Sequence, residues 1–206
     1  METLEAYLNG LAGPGATPGG GSAAMFVAAT GVALVAMVAR ICAANPKFTE
    51  QRQAAERIAA TADGLRLAFA QARQRDEHAF ERVVQAQRLP KASEAEKVHR
   101  REVLEDALRE AAAVPLEMAA LTVRALALVD ETRMFQNRGL ISDLGCAAEF
   151  LYAAFNACAY NVRINHLYMQ RAEQVGTQEQ ELTRLETAAM QLHAGIREAV
   201  QRTLAS

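Results

Sequence analysis

A chain of 206 residues, 51% hydrophobic and 22% charged, is globular and long enough for one sizeable domain but short for two. Its net charge of −2 offers no basic footprint for DNA or RNA, and no Lys/Arg run with interleaved aromatics occurs, so nucleic acid is not an expected partner. The three cysteines, Cys42, Cys146 and Cys158, lack a C-x-x-C and read as reduced, buried thiols of a cytoplasmic protein, while the four histidines never fall at i, i+4, so no metal is expected.

Taken in order, Thr3–Leu11 places Leu4, Tyr7, Leu8 and Leu11 on one face of a short helix, which Gly13-Pro14-Gly15 breaks. The stretch Ala16–Cys42 then organises the chain. It opens with Pro18, Gly19, Gly20, Gly21 and Ser22, and runs uncharged to Arg40 in mostly Ala, Gly, Val and Met. Three adjacent glycines cost backbone entropy, which implies either φ > 0 or close approach to another group. A small-residue helix that is apolar all round belongs at the centre of a bundle, with the glycine loop at its N-terminus forming part of a binding site. A P-loop or Rossmann turn is not expected, because Gly21-Ser22 stands where Lys-Ser or Lys-Thr is required and no β-branched strand precedes it. Ala23–Ala39 is close to spanning length, yet alanine and glycine are weakly apolar and no second span, basic flank or aromatic belt accompanies it, so no membrane is expected. Glu2 and Glu5 stand where a leader peptide needs basic residues. Asn45-Pro46 ends the helix near Ala44, leaving Lys47 either as a solvated loop lysine or as a cation at the opposite end from the glycines.

Thr49 caps a long helix to about Gln87 with an apolar stripe of Leu65, Phe69, Ala72, Phe80 and Val83 or Val84. Asp76 falls on that stripe, whereas Arg75, Glu77 and His78 point elsewhere. A carboxylate there must be paired, hydrogen-bonded or shifted in pKa, as part of a site or as a structural ion pair. Ser93-x-x-Glu96 is a capping box opening the next helix. Its Lys97, Arg100, Arg101, Glu105, Arg109 and Glu110 read as a solvated face. Pro115 marks a kink or a fresh start; helix then continues to about Phe135 and ends at Gln136-Asn137-Arg138-Gly139. Ser142-Asp143 begins a helix to about Gln170 that carries Asn161 and Asn165 on its inner stripe. Asp143 also suits a plain N-cap or first-turn role. Thr177-x-x-Gln180 opens a final helix. With no strand alternation or repeat, the fold is expected to be all-α: one domain over residues 1–206, a multi-helical bundle around the small-residue helix.

Several segments together resemble the folate cyclodeaminase/cyclohydrolase family, which includes the cyclodeaminase domain of formiminotransferase-cyclodeaminase and stand-alone methenyltetrahydrofolate cyclohydrolases. They are Thr17-Pro18-Gly19-Gly20-Gly21-Ser22-Ala23-Ala24, Asp76 to Phe80, Arg88-Leu89-Pro90-Lys91, Pro115-Leu116-Glu117, Ile141-Ser142-Asp143 and Asn161-Val162-Arg163-Ile164-Asn165, in the family's order from about Leu4 to Met169. The glycine segment and the Ser-Asp to Asn-Val pair are the most specific. One departure stands out: where the family shows Gly-Lys-Lys-Lys-Tyr, this chain has Ala44-Asn45-Pro46-Lys47-Phe48.

The resemblance implies a helical homodimer acting on a tetrahydrofolate derivative at the carbon bridging two nitrogens, by acid–base chemistry, with no cofactor beyond tetrahydrofolate itself as substrate and carrier. For that chemistry the expected proton-transfer carboxylate is Asp76 or Asp143, the other stabilising cationic substrate or holding the lysine, with Lys47 stabilising the attacking oxygen or donating a proton. Asn161 and Asn165 would bind the pterin edge, and Pro18, Gly19, Gly20, Gly21, Ser22 and Ser142 would complete the substrate site. The thinned lysine segment permits an alternative, a catalytically impaired homologue serving as a folate-binding or structural helical dimer. A third reading, an unrelated helical oligomerisation module, leaves Asp76, Asn161 and Asn165 unexplained.

Overall fold

The computed structural model describes residues 3–205; Glu2 and the extreme ends of the expected domain lie outside the described residues. Among these residues there are six α-helices and no strand: α1 Leu4–Leu11, α2 Gly20–Ala44, α3 Arg52–Gln87, α4 Glu94–Thr132, α5 Ile141–His166 and α6 Ala172–Ala205. Short 3-10 turns lie at Pro46–Gln51, Arg133–Phe135 and Arg138–Leu140. The local signals explain several ends. Thr3 caps α1 through the Ala6 amide, and the Ser93–Glu96 capping box forms as the sequence predicts. Gln136, at φ 48°, ends the α4 segment in the left-handed region.

Helix α2 packs between α3 and α5, α4 closes the bundle against those two, and α6 lies outside on α4 and α5. Met25, Val32, Val35, Phe69, Met118, Leu126, Leu151 and Phe155 fill the interior. Small residues set the approach of α2 to α5: a Cβ on Gly31 would lie 2.9 Å from Leu151 Cγ and 3.2 Å from the Ala147 carbonyl. Gly20 meets Asn161 and Gly31 meets Leu151, so α2 and α5 run antiparallel.

Several expectations are corrected. Thr49 does not cap α3; its hydroxyl bonds the Pro46 carbonyl inside a 3-10 turn, and α3 starts at Arg52. Helix α6 begins at Ala172, five residues before the Thr177 signal, because Glu105 of α4 caps it from a distance. Glu105 is not solvated: it is 5% exposed, and its carboxylate accepts from the Gln170 and Arg171 amides at 2.9–3.0 Å. Cys146 is exposed, unlike Cys42 and Cys158. Of the α1 face only Tyr7 is buried, with Leu4 and Leu8 exposed. Nor is α2 buried all round: Phe26, Met37 and Ile41 remain exposed on one side. A second helical stretch, Glu94–Phe135, also has the length and apolarity to cross a membrane, as Gly20–Ala44 does; just over half of each apolar window is buried inside the bundle.

Pro115 neither breaks nor restarts α4, which runs through it as one helix. Proline has no N–H to offer the carbonyl four residues back, that of Ala111. That carbonyl accepts instead from the side-chain amide of Asn165 on α5, at 3.1 Å.

Candidate active site

At its N-terminal end α2 meets α3 and α5, and the glycines permit that meeting. No described glycine has positive φ, so close approach is what demands them here. A Cβ on Gly21 would lie 2.2 Å from Asp76 Oδ2, which no real side chain tolerates. Gly20 faces the Asn161 amide, 3.6 Å from where its Cβ would sit. Asp76 accepts from the Ser22 backbone amide, yet burial, followed by the charge of neighbouring Glu77, pushes its carboxyl up to about 6.

Ser22 is fully buried. Its hydroxyl donates to Glu77 Oε1 at 2.8 Å and shares a 3.1 Å hydrogen bond with the Tyr7 hydroxyl. Glu77 therefore turns toward the glycine segment, against the expectation that it points away. On α5, Asn161 donates to the Ala157 carbonyl at 2.8 Å, while Asn165 donates to both Asn161 and Ala111 carbonyls. The Asn165 amide donors are thus occupied within the protein, and its side-chain oxygen is what remains for a ligand.

These groups enclose a cavity of about 290 Å³. Its wall includes Thr17, Gly19, Gly20, Gly21, Asp76, Glu77, Asn161 and Asn165, with Phe80, Ile164 and Tyr168 as an apolar edge. Pro18 and the buried Ser22 are not on it. The wall carries two carboxylates and no lysine or arginine. Among the described residues no group of three His, Cys, Asp or Glu could hold a metal ion. Sequence periodicity finds Asp76, Asn161 and Asn165. It misses Glu77, which is one residue off the stripe, and Tyr7, whose link to Ser22 spans two helices.

Lys47, Ser142 and Asp143 sit elsewhere in the chain. Helix α2 is 25 residues long, about 37 Å at 1.5 Å per residue, and Lys47 follows its far end. Asp143 lies in the first turn of α5, about 27 Å along that helix from Asn161. Near this end a shallower cavity of about 720 Å³ is lined by Asp130, Arg133, Gln136, Asn137, Arg138 and Ile141. Within one chain, therefore, Asp76, Asn161 and Asn165 come together with the glycines, while Lys47, Ser142 and Asp143 gather at the opposite end.

The sequence profile of the family described as Formiminotransferase-cyclodeaminase matches residues 3–184. The chain is 34% identical over 164 residues to a methenyltetrahydrofolate cyclohydrolase of Methylorubrum extorquens, covering 80% of this chain and 79% of that one. It is 33% identical over 168 residues to the formimidoyltransferase-cyclodeaminase of Rattus norvegicus, covering 79% of this chain but only 30% of the rat protein. The crystal structure of a formiminotetrahydrofolate cyclodeaminase from Thermotoga maritima superposes with a TM-score of 0.88 at 26% identity, covering 98% of this chain and 97% of that one. With the matched segment running from α1 into α6 and the same fold in a solved relative, this chain belongs to the formiminotransferase-cyclodeaminase family.

Proposed function

We propose that the chain acts at the one-carbon unit of a tetrahydrofolate, as a methenyltetrahydrofolate cyclohydrolase or a formiminotetrahydrofolate cyclodeaminase. The doubly acidic, glycine-walled cavity carries this reading. The methenyl bridge is a cation and a formimino group is protonated at neutral pH, so a wall with Asp76 and Glu77 and no basic side chain attracts the reacting carbon. The Methylorubrum relative, matched over about four fifths of both chains, favours the cyclohydrolase direction.

In that direction Asp76 takes a proton from water as its oxygen bonds to the methenyl carbon. The carboxyl returns that proton to N5 as the C–N5 bond breaks, the hydroxyl proton leaves to solvent, and formyltetrahydrofolate results. In the deaminase direction N10 attacks the formimino carbon, Asp76 carries the N10 proton to the departing nitrogen, and ammonia leaves. A carboxyl titrating near 6 is suited to both giving and taking a proton close to neutrality. The Asn165 side-chain oxygen accepts from an N–H of the pterin edge. Proton transfers suffice for either step, so the proposal needs no carrier beyond tetrahydrofolate.

The cavity is too small for a whole folate and has no cation for the glutamate tail. A second copy of the chain answers both deficits. Phe26 of the exposed α2 stripe and the adjoining Leu4 line a groove with Ala29 and Ala33, bordered by Arg66 and Arg73 of α3. Antiparallel association across it covers these side chains and carries Lys47 and Asp143 of one copy toward the cavity end of the other. Lys47, whose ammonium has no ion-pair partner among the described residues, then meets the attacking oxygen or a tail carboxylate.

The test is loss of methenyltetrahydrofolate absorbance on adding purified protein. Turnover that falls about 10²- to 10⁴-fold in Asp76→Ala supports the proposal. Tetrahydrofolate binding without turnover would make the chain a folate-binding homologue without catalysis, and absence of both would overturn the reading.

A further inference from the structure

Ser22 does two jobs at once. Its backbone amide holds Asp76, and its hydroxyl holds Glu77 while sharing a hydrogen bond with Tyr7. The hydroxyl proton is committed to Glu77, so the Tyr7 hydroxyl is the donor in the other bond. The chain therefore runs one way, Tyr7 to Ser22 to Glu77, from α1 through α2 to α3. Tyr7 is itself fixed: it is 4% exposed, with the Phe26 ring 5.4 Å away and the Arg73 guanidinium 4.7 Å above its face.

We propose that Glu77 is a positioning residue for the reaction at Asp76, its carboxylate anchored by the Tyr7–Ser22 chain on the same residue whose amide holds Asp76, so that its negative charge stays beside the reacting acid. The proposal rests on the role given to Asp76 above. Within one copy, the described residues of the other elements bring no charged side chain into the cavity around Asp76; a Lys47 from a paired copy is common to every variant compared below. From α2 come Gly21 and Ser22, from α4 Leu108 and Ala111, and from α5 Asn161, Asn165 and Cys158, a thiol that burial and Asp76 itself push up to about 12. On α3, Arg75 is turned outward in a bidentate pair with Glu117 of α4. Glu77 is the ionisable neighbour whose direction of effect on Asp76 is upward, after burial.

The experiment is a carbon-13 NMR titration of the Asp76 carboxyl in substrate-free protein, assigned with Asp76→Asn, for the wild type, Glu77→Gln, Glu77→Asp and Tyr7→Phe. Glu77→Gln lowers the Asp76 midpoint by about one pH unit. Glu77→Asp keeps the charge nearby and retains most of the wild-type value, and Tyr7→Phe, which leaves the ring in place, lowers it by less than Glu77→Gln does. The low-pH limb of kcat/KM with methenyltetrahydrofolate moves to lower pH by the same amount. An unmoved NMR midpoint in Glu77→Gln would overturn the proposal whatever the protein catalyses. A midpoint that moves in protein showing no folate turnover would leave the Glu77–Asp76 coupling standing and remove the functional reading instead.

Discussion

Asn165 offers a test that separates a structural partner from a ligand contact. In Asn165→Ala, the buried Ala111 carbonyl loses the side-chain donor that replaces the N–H missing at Pro115. Leaving a buried acceptor unpaired costs about 1–3 kcal/mol, and the bond to the Asn161 carbonyl goes with it. In a Pro115→Ala background the helix supplies its own N–H to Ala111, so the same Asn165→Ala change should cost about 1–2 kcal/mol less. Urea denaturation of the wild type, both single variants and the double variant closes the cycle. Additive effects, agreeing within about 0.5 kcal/mol, would refute the Ala111 account. A KM rise in Asn165→Ala that persists in the double variant reports the ligand-facing oxygen separately, because repairing the helix does nothing for it.

Four further outcomes are expected. Gly21→Ala puts a methyl 2.2 Å from Asp76 Oδ2, and the roughly 1 Å retreat this forces lowers kcat by about 10²-fold; its destabilisation should vanish in an Asp76→Ala background, measured by thermal unfolding. Asp76→Asn should be more stable than the wild type at pH 8 by up to about 3 kcal/mol but equal to it near pH 3. The sign follows because a carboxyl raised from 3.8 to about 6 contributes stability that is complete below the lower value and lost as pH rises through the upper one; equal urea midpoints at pH 8 would contradict it. Glu105→Ala removes the long-range cap of α6 and should cost about 2–4 kcal/mol, with amide exchange rising first at Gln170 and Arg171. Phe26→Asp, at the N-terminal end of the exposed α2 stripe, should break the proposed pairing and yield monomers by sedimentation, with unchanged helical circular dichroism.

The sequence is most legible where the physics is local. Helical period, the Ser93–Glu96 box and the Asn45-Pro46 stop locate most helices, and a carboxylate on an apolar stripe is enough to single out Asp76. What stays hidden depends on partners distant along the chain. Glu105 looks solvated among its charged neighbours until Gln170 and Arg171 arrive to use it. Glu77 sits off the stripe, and Ser22, 55 residues earlier, draws it inward. The α6 start is misplaced because its cap comes from α4. The glycine segment is a middle case: its cost in backbone entropy shows that something close is required, but naming Asp76 as that neighbour needs the fold.

The bare stripe on α2 has a consequence for how the protein is handled. The most apolar helix of the chain leaves Phe26, Met37 and Ile41 bare in a single copy, and in the pairing proposed above a second copy covers them. Cohesion and turnover then obey a common mass-action law. Melting temperature and specific activity should climb together as protein is concentrated, and enzyme diluted for assay should fade over time at a rate that added inactive Asp76→Asn chains, by pairing with it, would slow.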